Sequence, residues 1–228
     1  MNTFSPHYTW ALIPLVFLFT SFTSCQAARI LCVFPSPSTS HLIIHGTIAE
    51  TLGLDGHNVT VIGTVPPSKV RAPHVNYIHI EGPMFNDDFA NEMVSKQVNI
   101  YEKFASTISR VQDMANATMN NPKMLDFLKT HKAGDYDVLI LGYFMNDFML
   151  GLGAHFQCPI IVSFMVQPIF SVSQMVANPP EASYASSLFM GYKQPMDFWT
   201  RVKNFAATYF EHYIYAAYIA RKGNEMYR

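Results

Sequence analysis

The chain has 228 residues, 15 Lys and Arg against 16 Asp and Glu, and a formal net charge of -1. With no basic stripe along it, electrostatic capture of nucleic acid is excluded as its main function. Half of the residues are hydrophobic and 14% are aromatic, a composition that supplies one sizeable core and is the reverse of a disordered chain's.

In chain order, the apolar run "ALIPLVFLFT" followed by "CQAA" reads as a secretory signal peptide over residues 1–28, with Cys25 and Ala27 as the small residues before the cut. No later apolar run approaches the roughly 20 residues that a membrane span needs. Residues 29–228 are therefore expected to form one domain, lumenal or secreted. Two sequons would accept glycans there, Asn58-Val59-Thr60 and Asn116-Ala117-Thr118. Asn116 reads as the better acceptor, because Asn58 abuts a predicted strand. Cys32 and Cys158 lie in apolar runs, where an unpaired cysteine acts as a small hydrophobe.

Strand-length apolar runs then recur between helical stretches: "RILCVF", "NVTVIGTV", "VNYIHIE", "DVLILGYF" and "PIIVSFM". This alternation predicts an α/β fold with a doubly wound parallel sheet. The first run leads into a helix predicted over His41 to Gly56, with Leu42, Ala49 and Leu52 on one face and "LDGHN" as its stop signal. From about Asn86 to His131 the spacing predicts two or more helices, interrupted at Pro122. "NPPEASY" reads as a loop. From Met196 onward Phe, Tyr and Trp recur at helical intervals, as they would in a packed helix, or in one that rests on a lipid surface or lines an apolar pocket. The sequence stops at Arg228 without a closing strand and reads as the front portion of a longer protein.

In a doubly wound sheet, ligands collect beyond the carboxyl ends of the strands. His41, in "PSPSTSHLIIHG", is predicted there, at a helix N-terminus that disfavours the imidazolium and leaves the ring able to accept a proton; a capping or surface role is the plainer alternative. A base of this kind needs a third group to aim it. Asp147, after the fourth strand, is the candidate, whereas Asp135 and Asp137 precede that strand and belong to the opposite edge. His41 and His45 are four apart, as two metal ligands on one helical face would be. The Glu of an H-E-x-x-H motif is missing, however, and no third ligand suggests itself. The G-x-G-x-x-G of a dinucleotide site is absent after the first strand, and "GLGAHF" at Gly151 falls inside a helical pattern, so a nicotinamide cofactor is disfavoured.

Four segments carry a resemblance: "ARILCVFPSPSTSHLIIHGTIAETLGLDGHNVTVI", "YDVLILGYFMNDFMLGLGAHFQCPIIV", "NPPEASYASSLF" and "MDFWTRVKNF". In order and approximate spacing they resemble the amino-terminal half of an insect-type UDP-glycosyltransferase, the family that includes the animal UDP-glucuronosyltransferases. The resemblance implies a GT-B architecture, in which this chain is the first, acceptor-binding Rossmann-like domain and the donor-binding domain is absent. It implies inverting transfer of a hexosyl group from a UDP-sugar to a small lipophilic acceptor without a cofactor, His41 taking the acceptor's proton and an aspartate steadying His41. Vertebrate members carry that aspartate where this sequence has Gly142, so the role passes to Asp147. The resemblance further implies the lumen of the endoplasmic reticulum, an anchor and a UDP-sugar site in the missing carboxyl half, contact with the membrane surface, and pairing with other family members. The competing expectation is a truncated, non-catalytic lumenal domain that binds apolar ligands or pairs with full-length relatives.

Overall fold

The computed structural model describes residues 27–64, 72–97, 99–166, 169–178, 181–187 and 190–227, so the predicted signal segment lies outside the described residues apart from its last two. The five apolar runs become five strands: β1 (Arg29–Phe34), β2 (Asn58–Gly63), β3 (Val75–His79), β4 (Val138–Gly142) and β5 (Ile160–Ser163). All pair in parallel, in the order β3-β2-β1-β4-β5. β1 is central, and its side chains alternate between two cores, as a pleated strand's must. Leu31 and Val33 join Leu139, Leu141 and Phe156 on one face. Ile30, Cys32 and Phe34 join Val61, Leu42 and Ala49 on the other. A strand covered on both faces has to be apolar throughout, which is why "RILCVF" shows no polar alternation. Burial pushes the Cys32 thiol up to about 12, so it is inert packing.

The helices are α1 (Thr39–Leu54), α2 (Asp87–Val94), α3 (Ile100–Met119), α4 (Pro122–Thr130), α5 (Gly151–Phe156), α6 (Phe170–Met175) and α7 (Phe198–Ile214). A π-helical turn, Tyr215–Ile219, leads from α7 into α8 (Ala220–Tyr227). α1 covers one face of the sheet through Leu42 and Ala49; α4 and α5 cover the other through Met124, Phe127, Leu152 and Phe156. The stretch from Asn86 to His131 resolves into three helices, each opened by an asparagine. The side chains of Asn86, Asn99 and Asn121 accept the N–H groups of Phe89, Glu102 and Lys123. Pro122 opens α4 rather than interrupting a longer helix, since at the first helical position its missing N–H has no partner to lose.

Asp137 stands at the amino end of β4, where its carboxylate accepts the Arg29 backbone N–H (2.7 Å) and guanidinium Nη2 (2.7 Å). These bonds hold its carboxyl at about 2. Both side chains are about half exposed, so the pair contributes little net stability. Asn58 is exposed, whereas Asn116 is half-buried in the last turn of α3 and Thr118 is buried, its hydroxyl given to Met114 O at 2.9 Å. Among the described residues no helix is long and apolar enough to cross a membrane.

Candidate active site

The chain runs β1 to β2 to β3 toward one edge and returns as β4 and β5 on the other side of β1, so the sheet's switch point lies between β1 and β4. A cavity of about 60 Å³ opens there, with His41, His45, Phe85, Gly142, Tyr143 and Met165 in its wall. The loop that delivers His41 is pinned at three places. Ser36 N–H donates to Phe34 O (3.0 Å), Phe85 N–H to Pro37 O (2.9 Å) and Thr64 Oγ1 to Ser36 O (2.8 Å). Ser38 precedes α1 in extended conformation, and its hydroxyl pairs with that of Ser40 at 3.0 Å instead of capping the helix.

His41, the third residue of α1, is partly buried, and burial lowers its pKa below the usual histidine range. Among the described residues it makes no hydrogen bond. The ring is therefore neutral at pH 7 with an uncommitted nitrogen on the cavity wall. His45, one turn on, is 3% exposed. Its ring stacks on Phe34 with centroids 4.4 Å apart, and its Nε2 lies 3.1 Å from Ser163 Oγ at the end of β5, while Nδ1 has no partner. Burial first, and the neighbouring His41 second, bring its pKa down to about 4.

Gly142 makes room for that ring. A Cβ on residue 142 would stand 3.1 Å from His45 Cε1 and 3.1 Å from Phe34 Cδ1, closer than side chains normally pack. The position at which the sequence departs from the vertebrate aspartate is thus one where an imidazole fills the space a side chain would need. Spacing along α1 placed His41 and His45 on one face, but nothing local in the sequence connects His45 to Gly142 and Ser163.

Asp147 lies in a 3-10 turn, Asp147–Leu150, that follows β4. Its carboxylate accepts the hydroxyls of Tyr143 and Tyr215. Burial, reinforced by the adjacent carboxylate, raises both phenol pKa values and keeps them protonated donors. Among the described residues His41 and Asp147 share no hydrogen bond. Tyr143 is the link between them, since it lines the His41 cavity and donates to Asp147. Tyr143 and Asp147 are four apart and could have been paired from the sequence; Tyr215 comes from the distant aromatic tail and could not. Asp147→Ala should lower stability by about 2 kcal/mol, because the Tyr143 hydroxyl loses a charged acceptor in a buried place. Urea unfolding midpoints measure this, and Asp147→Asn should recover part of the loss.

A second, larger groove of about 950 Å³ runs between α3 (Ile108, Gln112) and the carboxyl-terminal helices (Phe210, Tyr213, Tyr218). Phe85 borders the His41 cavity, while Phe210, Tyr213 and Tyr218 of the aromatic tail border this groove.

No family model matches the chain. It is 27% identical over 215 residues to the mouse UDP-glucuronosyltransferase 3A2, an alignment covering 87% of this chain and 38% of the relative. It is 30% identical over 194 residues to UDP-glycosyltransferase UGT5 of Dactylopius coccus, covering 81% and 36%. An ecdysteroid UDP-glucosyltransferase of Lacanobia oleracea granulosis virus is 28% identical over 138 residues, covering 59% and 29%. The chain thus spans a little over a third of the length of the first two of these curated relatives. Among solved structures, Arabidopsis thaliana UGT89C1 complexed with UDP-L-rhamnose is similar with a TM-score of 0.42 and 16% identity, over 81% of this chain and 40% of that one.

Proposed function

Because the chain belongs to the UDP-glycosyltransferase family, we propose that it forms the acceptor-binding part of an enzyme that moves a hexosyl group from a UDP-sugar, with inversion, to a hydroxyl of a small lipophilic acceptor. The observation that carries this reading is His41: a neutral imidazole without a hydrogen-bond partner among the described residues, on the wall of the cavity at the switch point. As the acceptor oxygen attacks the anomeric carbon, its proton passes to His41. The new carbon–oxygen bond forms while the bond to the UDP oxygen breaks, and UDP leaves with the electron pair. One such displacement inverts the anomeric centre, and it calls for no cofactor beyond the UDP-sugar itself.

A cavity of about 60 Å³ is far smaller than the roughly 300–1,000 Å³ of small-molecule sites, so it takes only the hydroxyl-bearing end of the acceptor. The UDP-sugar falls to a facing domain, as in a GT-B enzyme in the lumen of the endoplasmic reticulum. Asp147 acts on His41 at one remove, by holding Tyr143 in the cavity wall. In the test, the full-length protein is incubated with UDP-glucose or UDP-glucuronic acid and 1-naphthol. The expected product is the β-glycoside of the α-linked donor. An α-glycoside overturns the inverting step, and no product from any UDP-hexose overturns the enzymatic reading.

A further inference from the structure

Among the described residues, the polar side chains in the wall of the His41 cavity divide into those with partners and those without. Ser36 Oγ accepts the Ser38 N–H at 3.2 Å, and the Ser38 hydroxyl pairs with that of Ser40. Thr107 donates to Lys103 O at 2.8 Å, and Tyr143 donates to Asp147. What is left over is imidazole nitrogen. His41 makes no hydrogen bond, and His45 keeps Nδ1 unpaired although the residue is 3% exposed. A polar atom buried without a partner is destabilising, and in a cavity wall it marks a place where a bound group supplies the missing bond.

The dimensions agree. About 60 Å³ holds roughly two groups the size of a water molecule. His41 and His45 are four apart on α1, so their Cβ atoms stand about 5–6 Å apart, and His41 lies close enough to depress the His45 pKa. Side chains so spaced can each take one of two oxygens on neighbouring carbons, at about 3 Å from its own ring. A single hydroxyl leaves one ring unpaired, and hydroxyls on opposite sides of a benzene ring are too far apart to share the cavity. The stack on Phe34 and the bond between Nε2 and Ser163 hold the His45 ring in place. Ser163 fits either tautomer of that ring, and a hydroxyl suits Nδ1 as donor or as acceptor. We propose that the cavity selects acceptors with hydroxyls on two adjacent carbons, catechols among them, His41 taking the hydroxyl that attacks and His45 Nδ1 the one that stays. The product is then a monoglycoside whose second hydroxyl is free. This deepens the reading of the cavity as the place of the acceptor's reactive end, and rests on it.

The test uses the full-length protein with isotopically labelled histidine, titrated under nitrogen and without UDP-sugar. Catechol should move the ring-nitrogen NMR signals of both His41 and His45, assigned through His41→Ala and His45→Gln. Phenol and hydroquinone should move those of His41 alone. Catechol should bind about tenfold more tightly than hydroquinone, and His45→Phe, which keeps a ring on Phe34 but has no nitrogen, should abolish that advantage. Unmoved His45 signals overturn the proposal. So does equal binding of catechol and hydroquinone, or an advantage that survives in His45→Phe; the wild-type titrations decide the matter even where that variant does not fold. Because no donor is present, these readouts stand apart from sugar transfer: a protein that binds catechol in this way and glycosylates nothing overturns the enzymatic reading alone.

Discussion

His41→Ala is expected to lower sugar transfer by 10² to 10⁴-fold, the usual contribution of a positioned general base, with the acceptor KM within a few-fold of wild type. The drop falls on kcat because the imidazole is needed when the proton moves and adds little to holding the acceptor's apolar body. Folding should be spared, since His41 is only partly buried and has no hydrogen-bond partner among the described residues to abandon. His45 cannot take over. Its Nε2 faces Ser163, its ring is clamped between Phe34 and residue 142, and it protonates only near pH 4. The pH profile offers a second readout. Burial depresses the His41 pKa, so wild-type kcat/KM should hold as pH falls to 6.5 and fail below it. His41→Ala should lose that acid limb along with the rate. A variant within a few-fold of wild type at pH 7, with the limb intact, would remove His41 from the reaction.

What could be read from the sequence was whatever local pattern dictates. The strands were legible because a parallel sheet demands unbroken apolar runs. His41 was legible because the strand, the Pro and Ser turn and the helix that deliver it are contiguous. Pro122 was read as a break because proline disrupts a helix interior, while its tolerance in a first turn depends on Asn121 beside it. The contacts that distinguish this site are of another kind. Tyr215 reaches Asp147 across 68 residues, and His45 reaches Ser163 across 118. Pattern reasoning has no access to pairings set by how layers stack. It named Asp147 correctly as a residue beyond the fourth strand, yet could not see that two tyrosines occupy its carboxylate. The aromatic tail shows the same limit: the helical period was plain, but which face turns inward was decided by hydrogen bonds between Asn204 and the backbone of residues 182–187.

Between pH 6.5 and about 4 the folded chain should lose up to about 3 kcal/mol of stability through His45 alone. The sign follows from the depressed pKa. Above pH 6.5 the imidazole is neutral in both states and stability is full. As pH falls, the unfolded ring binds a proton that the folded ring, 3% exposed and lying against Phe34, refuses. The unfolded state gains until about pH 4, where the folded ring protonates too and the loss levels off. Asp137 cannot mimic this, because its carboxyl sits near 2 in the fold against an ordinary 3.8, so its contribution disappears only below about pH 4. His45→Gln keeps a polar group that can pair with Ser163 but does not titrate. It should be less stable than wild type at pH 7, and the gap should narrow by about 2 kcal/mol or more in urea melts at pH 4.5. Equal pH slopes for the two proteins would mean that the ring is not held neutral. Protonation of His45 also has a consequence for the site: a charged ring must move toward water, leaving the space beside Gly142 and loosening the wall that Tyr143 and His41 share. Transfer at acid pH should then fall more steeply than titration of a single base allows, and in His45→Gln it should return to the single-base slope.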